Sequence, residues 1–329
     1  VRRETALPGA VLTRVAASHI RVGTFQFFAA RSDMEKVRQL ADYAIARHDP
    51  HLAEAANPYL AFLDAVIGRQ AELIAQWMNI GFIHGVMNTD NMTVSGETID
   101  YGPCAFVDAY DPATVFSSID QQGRYAFGNQ PMIGQWNLTR LAECLVGVVD
   151  PDSKESVRLL TEALETYASR YRAAWLAGMR RKLGLATDEA EDEALAEGLL
   201  QAMLDGKADF TLTFRRLSDV LRGDAEPVRA QFDDPAAFDA WVETWRARLA
   251  REPEDTDRPA AMDRVNPIYI PRNHKVEEAL AAASELEDMG PFRRMLDVLA
   301  KPYEERAGLE EYAVPAPPSD VPYKTFCGT

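Results

Sequence analysis

The chain has 329 residues, 47% hydrophobic and 26% charged, enough apolar side chain to fill a sizeable core in one large domain or two smaller ones. That composition excludes a collagen-like repeat, low-complexity disorder and a disulfide scaffold. With 51 acidic against 35 basic residues the formal net charge is −16, which argues against a general nucleic-acid binder and against attachment to an anionic membrane.

Residues 10–15 and 19–28 mix β-branched and aromatic side chains near strand spacing, and predict one or two strands with a bend at Ala16-Ala17-Ser18. Ser32 with Glu35 three residues on has capping-box spacing. A helix is therefore expected from Ser32 to about His48, with Val37, Leu40, Ala41, Ala44 and Ile45 on one face. A second helix is expected over 58–79 from the stripe Leu60, Leu63, Val66, Ile67, Leu73, Ile74 and Trp77. Residues 81–91 are compact and irregular. Residues 92–94 and 98–100, flanking Ser95-Gly96-Glu97, read as a short β-hairpin. Residues 103–133, rich in Asp, Gly, Pro and Gln, read as a long loop, functional or mobile. Helical spacing then dominates, over 136–149, 154–183, 189–204, 209–221, 232–250, 275–283 and 291–299, before a proline-rich, extended tail from 312. The sum is an α+β chain, predominantly α, with no internal repeat. Cys104, Cys144 and Cys327 show neither paired nor metal-ligand spacing, no apolar run reaches membrane-spanning length and no leader is visible. A reducing, cytoplasmic location is expected.

The densest polar constellation lies at 84–102: His84, Asn88, Asp90, Asn91 and Asp100, followed by Tyr101-Gly102. A hairpin would fold Asn91 and Asp100 towards one hard cation. Mg²⁺ takes oxygen ligands and commonly shares its shell between one or two side chains and phosphate oxygens. Asp90 or Asn91 taken singly is ordinary turn chemistry. The whole set, between a buried helix and a long loop, points to function. His84 reads better as a histidine bonding the loop backbone than as a general base, and His19, His48, His51 and His274 carry no assigned role. Arg14 and Arg21, seven apart, converge only if the chain bends between them.

The arrangement resembles a protein-kinase catalytic loop followed by the Mg²⁺-binding Asp-Phe-Gly, here Asp100-Tyr101-Gly102, without the His-Arg-Asp signature and its Asn five residues later. The strings His84-Gly85-Val86-Met87-Asn88-Thr89-Asp90-Asn91 and Thr98-Ile99-Asp100-Tyr101-Gly102-Pro103 are similar instead to the selenoprotein O (SelO) family. So are Arg3-Glu4-Thr5-Ala6-Leu7-Pro8, Gln122-Gly123-Arg124-Tyr125, Gln135-Trp136-Asn137-Leu138 and Arg264-Val265-Asn266-Pro267. The resemblance implies a kinase-like fold and transfer of AMP from ATP to Ser, Thr or Tyr hydroxyls of protein substrates, with ATP inverted relative to kinases. It implies Asp90 as proton acceptor, Asn91 and Asp100 as ligands of Mg²⁺ (or Mn²⁺), Asp100 also close to ATP, and Arg14 and Arg21 on the terminal phosphate. It further implies a large C-terminal lobe with a remnant of the small lobe. Residues 1–30 would end the small lobe and hinge. Residues 31–329 would form a helical lobe with catalytic loop 84–102, activation-like loop 103–133 and a C-terminal helical extension. Nothing in the chain matches the family's glycine-rich loop or Lys–Glu pair, so the chain is expected to be a fragment that binds ATP weakly and is inactive alone. A loop-to-tail disulfide known in some relatives would here need Cys104 and Cys327, since Phe116 stands at the relatives' loop position; Cys104 reads rather as a small residue packed beside Asp100-Tyr101-Gly102. A catalytically silent pseudokinase module that binds partners, or transfer of UMP, are the alternative readings.

Overall fold

The structure, a computed structural model, describes residues 11–317, 319 and 323–326; the stretch from Arg3 to Pro8 and Cys327 lie outside the described residues. Residues 11–20 form no regular element. The chain then enters helix α1 (Val22–Ala29), where strand was expected. Val22 and Phe25 sit three apart and are fully buried, and Phe25 packs on Phe62 with ring centroids 5.8 Å apart. Burial of that face, about 1.5–3 kcal/mol for a side chain such as Phe25, overrides the β-propensity of the segment. Pairing survives only at its threshold, where Val22 donates to the Met92 carbonyl (3.0 Å) and Val94 to that of Ile20 (3.0 Å).

Helix α2 (Met34–His48) begins one residue later than its spacing suggested. Ser32 takes a left-handed backbone (φ 55°), and Asp33 is the cap, accepting from the Lys36 N–H at 3.2 Å. Helix α3 (Pro58–Ile80) matches its expected span. Asn57 caps it through the Leu60 N–H (3.1 Å), Pro58 opens it, and Gly81 at φ 73° closes it. A side chain at Gly81 would meet Val107 and Phe210 at under 3 Å. Strands β1 (Phe82–Ile83) and β2 (Ala105–Phe106) pair antiparallel, Phe82 opposite Phe106.

The expected loop 103–133 is shorter than its composition suggested. It holds β2 and a 3₁₀ turn over Phe127–Asn129, and α4 (Gln130–Val149) starts six residues before the expected 136. Pro131 in the first turn is the start signal that spacing alone passed over. Backbone bonds from Phe127 to Thr114 (3.1 Å) and from Gly128 to Pro112 (2.8 Å) tie the loop to itself. Thr325 of the tail pairs with Phe116 and Ser118, and its hydroxyl donates to the Pro103 carbonyl at 2.7 Å.

Helix α5 (Ser153–Lys182) packs against α3 and α4, and these three form the centre of the main core. Around them follow α6 (Asp192–Asp205), α7 (Phe210–Leu221), the short α8 (Glu226–Arg229), α9 (Ala236–Leu249), α10 (Arg258–Val265), α11 (Asn273–Glu285) and α12 (Gly290–Leu299). Trp241 and Trp245 stack at 5.5 Å on α9, and their indole N–H groups donate to the Leu195 and Leu183 carbonyls. A smaller apolar cluster, including Leu212, Ile268, Tyr269, Met295 and Val298, joins the C-terminal helices to α7. Among the described residues no helix is long and apolar enough to cross a membrane.

Candidate active site

Helix α3 builds the platform. Its Arg69 forks onto both carboxylate oxygens of Asp49 (2.7 and 2.9 Å) and gives its Nε–H to the Val94 carbonyl. Gln70 donates to the Thr93 carbonyl (2.6 Å) and Trp77 to the Thr98 hydroxyl (2.9 Å). The hairpin expected at 92–100 is thereby fixed on α3. It is reduced to one antiparallel bridge, Met92 opposite Thr98, around Gly96 at φ 76°. Asn91 closes the 3₁₀ turn Thr89–Asn91 just before this bridge, and Asp100 follows two residues after it.

His84 is completely buried. Its Nδ1 accepts from the Val86 N–H (3.4 Å), so Nε2 donates to the Ile99 carbonyl at 2.9 Å. Burial lowers its pKa and favours the neutral ring. The backbone-bonding reading of His84 holds, and the ring fixes the residue that precedes Asp100. Asn91 gives its amide N–H to the Val86 carbonyl at 2.9 Å, and its carbonyl oxygen has no hydrogen-bond partner among the described residues. Asp100 sits in the left-handed region (φ 61°), a conformation that Asp tolerates better than most residues.

The two arginines each meet one half of this loop. Arg14 Nη2 lies 3.3 Å from Asp100 Oδ1, with both side chains over a third exposed. Arg21 Nη1 donates to the Asp90 carbonyl at 3.1 Å, and its Nε to the His19 carbonyl at 3.3 Å. The bend that lets them converge is at Ala17, within the expected stretch. It is held by Glu97, whose carboxylate accepts from the Ala17 N–H (3.0 Å) and the Ser95 hydroxyl (2.7 Å), and by Arg47, which donates to the Ala17 carbonyl. The Ser95 bond holds the Glu97 carboxyl below the usual range. Sequence reasoning passed over Glu97, which looked like a turn residue; its partner is 80 residues away.

Asp90 is exposed, and no partner of its carboxylate is found among the described residues. It lies against the first turn of α1, where a Cβ on Gly23 would stand 2.0 Å from Asp90 Oδ1. Glycine at 23 is therefore what admits the carboxylate to the positive end of that helix. A cleft of about 680 Å³ opens beside Asp100, lined by Leu12, Arg14, Val15, Glu97 and Thr98 among others. That volume lies within the range of small-ligand clefts, about 300–1,000 Å³. A second, aromatic cavity of about 620 Å³, lined by Tyr171, Trp175 and Phe127 among others, shares no lining residue with it.

Asn91 offers an unpaired amide oxygen and Asp100 a half-exposed carboxylate, the oxygen donors that a hard cation takes. Among the described residues no group of three or more His, Cys, Asp or Glu side chains forms a metal cage. Cys104 gives its thiol to the Tyr101 carbonyl at 3.4 Å, and burial raises its pKa to about 11. It is a packed residue beside Asp100-Tyr101-Gly102; its pairing with Cys327 falls outside the described residues.

A family model described as protein adenylyltransferase SelO matches residues 1–300. Proteins named protein nucleotidyltransferase YdiU are similar throughout. The one from Rhodopseudomonas palustris is 59% identical over 332 residues, covering 100% of this chain and 68% of its own length. That of Rhizobium meliloti is 60% identical over 333 residues with the same coverage, and that of Cereibacter sphaeroides 61% over 330 residues, covering 67% of its length.

Proposed function

The chain belongs to the SelO family of protein nucleotidyltransferases, and from that premise we propose that its cleft serves transfer of AMP from ATP to Ser, Thr or Tyr hydroxyls of other proteins. The observation that carries this reading is that one bend sets Arg14 on Asp100, beside a solvent-open cleft, and Arg21 on the backbone of Asp90. Phosphate chemistry needs fixed guanidinium donors beside carboxylates that can hold a cation and a proton. The kinase-like lobe implied by the sequence is part of the same proposal.

In this reading the acceptor oxygen attacks the α-phosphorus. The new O–P bond forms as the bond to pyrophosphate breaks, and Asp90 takes the hydroxyl proton. Arg21 already holds the Asp90 carbonyl through Nη1, and its Nη2 would bind the phosphates. Arg14 is released from Asp100 when phosphate arrives. A half-exposed ion pair of this kind is worth at most about 1 kcal/mol, so the exchange is cheap. Mg²⁺ held by Asn91 Oδ1 and Asp100 would neutralise charge on the phosphate oxygens. Asn91 is pre-oriented for that task by the Val86 carbonyl, and Asp100 by the buried His84–Ile99 contact.

The test uses ATP labelled at the α-phosphate, a protein acceptor, and calorimetric nucleotide binding. It is run with matched substitutions on the Rhodopseudomonas relative, of which this chain spans about two thirds, with this chain alone as the fragment from which little incorporation is expected. Asp90→Ala should slow incorporation by roughly 10²–10⁴-fold with little change in ATP binding. Asp100→Ala should abolish incorporation and weaken metal-dependent binding, and Arg14→Ala should weaken ATP more than AMP. Incorporation indifferent to Asp90→Ala and Asp100→Ala in the relative would sink the assignment. Preferred incorporation from UTP would replace AMP by UMP.

A further inference from the structure

We propose that the cavity between α3 and α5 binds a free amino acid with a basic side chain, its carboxylate on Lys182 and Arg181 and its side-chain cation on Glu72. The cavity, about 580 Å³, shares no lining residue with the cleft beside Asp100, and the inference does not depend on the proposed transfer.

The two helices run the same way along its wall. Asp64 of α3 meets Arg170 of α5, and further along Asn79 meets Trp175. Gly178 lets them close, since a Cβ there would stand 2.2 Å from Asn79 Nδ2. That Nδ2 donates to two helix carbonyls, Ala75 at 2.9 Å and Trp175 at 3.3 Å. Asn79 lines the cavity and is 8% exposed, and its Oδ1 has no hydrogen-bond partner among the described residues. A buried carbonyl oxygen in that state calls for a donor.

Lys182 is a second group of the same kind. It lines the same cavity and is 4% exposed. The rings against its ammonium, Phe210 and Phe214, do not line the cavity, and they attract a cation without accepting an ordinary hydrogen bond. Among the described residues the ammonium has neither a hydrogen-bond partner nor a carboxylate. A buried charge left alone costs stability, and an anion in the cavity would offset that cost. Arg181 beside it also lines the cavity, exposed and without an ion-pair partner among the described residues, so its planar fork is open to a carboxylate.

Glu72 supplies the opposite sign. It lines the cavity, exposed and without an ion-pair partner among the described residues. It lies seven residues, about 10 Å, before Asn79 on α3. Ala75, Ala174 and Ala177 line the cavity as well, small side chains that leave room for an unbranched chain. One molecule answers all four polar groups. Its carboxylate takes Lys182 and Arg181, its α-ammonium donates to Asn79 Oδ1, and a cation at the end of a long side chain meets Glu72. An acidic side chain would meet Glu72 with like charge, and an apolar one would leave it unpaired.

Isothermal calorimetry on this chain tests the site with four probes. They are L-lysine, L-norleucine without the side-chain amine, cadaverine without the carboxylate, and L-2-aminoadipate with an acid in place of the amine. Lysine should bind about fivefold more tightly than norleucine, the scale of one exposed ion pair. It should bind at least about tenfold more tightly than cadaverine, the scale of a charged hydrogen bond. Lys182→Met keeps the stem and should weaken lysine at least about tenfold, with the fold checked by its melting. Glu72→Lys should turn the preference from lysine towards 2-aminoadipate, a reversal that misfolding cannot imitate. No lysine binding at millimolar concentration, equal binding of lysine and norleucine, or a preference untouched by both variants would overturn the site.

Discussion

Gly23 and Asp90 are 67 positions apart in sequence and in contact in space, and the contact decides what residue 23 can be. Its backbone is helical, so alanine there would ordinarily favour the helix by up to about 1 kcal/mol. The added methyl would stand 2.0 Å from Asp90 Oδ1, so the carboxylate has to swing away from α1. Gly23→Ala is therefore expected to melt no lower than the parent, and the matched substitution in the Rhodopseudomonas relative to lower AMP incorporation by an order of magnitude or more, on the scale of losing a general base. An unchanged rate with unchanged melting would show that the position of this carboxylate is immaterial. Glu97 and His84 act one step further back, fixing backbone on either side of Arg14 and Asp100.

At the scale of elements, the junction of α5 with α7 carries a buried lysine. Lys182 ends α5, 4% exposed, with its ammonium 3.9 Å from the Phe214 ring centre and 5.2 Å from that of Phe210. No carboxylate pairs with it among the described residues, and burial lowers its pKa to about 7. The unfolded chain holds that proton to about pH 10.4. Between these values the unfolded state binds more protons, so stability rises with pH, by at most about 1.4 kcal/mol per unit. Lys182→Met keeps the stem and removes the titration. The variant should melt higher than the parent at pH 7, and the gap should close towards pH 9–10. A constant gap across that range would mean the amine is charged in its pocket. The same reasoning separates α1 from its expected strand: Val22 and Phe25 bury against α3 whatever their β-propensity.

For the molecule as a whole, Arg272 joins distant segments at one point. It is 1% exposed, bonding Asp108 (2.6 Å), Asp209 (2.7 and 3.0 Å) and the Ala313 carbonyl (2.6 Å). Asp209 also caps α7 through the Leu212 N–H (2.7 Å). Burial pushes the Asp209 carboxyl upward against the pull of Arg272. Loss of the guanidinium would strand that carboxylate, and uncompensated buried charges cost about 3–5 kcal/mol. Arg272→Ala should accordingly lower denaturant stability by about that amount, and Asp209→Asn in the same background should recover part of it. A loss under 1 kcal/mol would show that the three segments hold together without the ion pairs.

The sequence by itself determined much of this protein. Strong 3.6-residue stripes located most of the helices, because amphipathic spacing is a local property. The polar string 84–102 marked the candidate site, since Asp and Asn gathered around a reversal are visible without a fold. The structure brought Arg14 to Asp100 and Arg21 to the backbone of Asp90, as a bend near Ala17 required. What only the tertiary structure decided are matters of long-range contact. Val22–Ala29 became helix because its apolar face met Phe62, and Asp33 replaced Ser32 as cap because Ser32 turns the chain through positive φ. Loop 103–133 took a defined path because it bonds to itself, to Thr325 of the tail and to Ala208 and Phe210 at the start of α7. The roles of Glu97 and Gly23 depend on partners 80 and 67 residues away, and no spacing rule reaches that far.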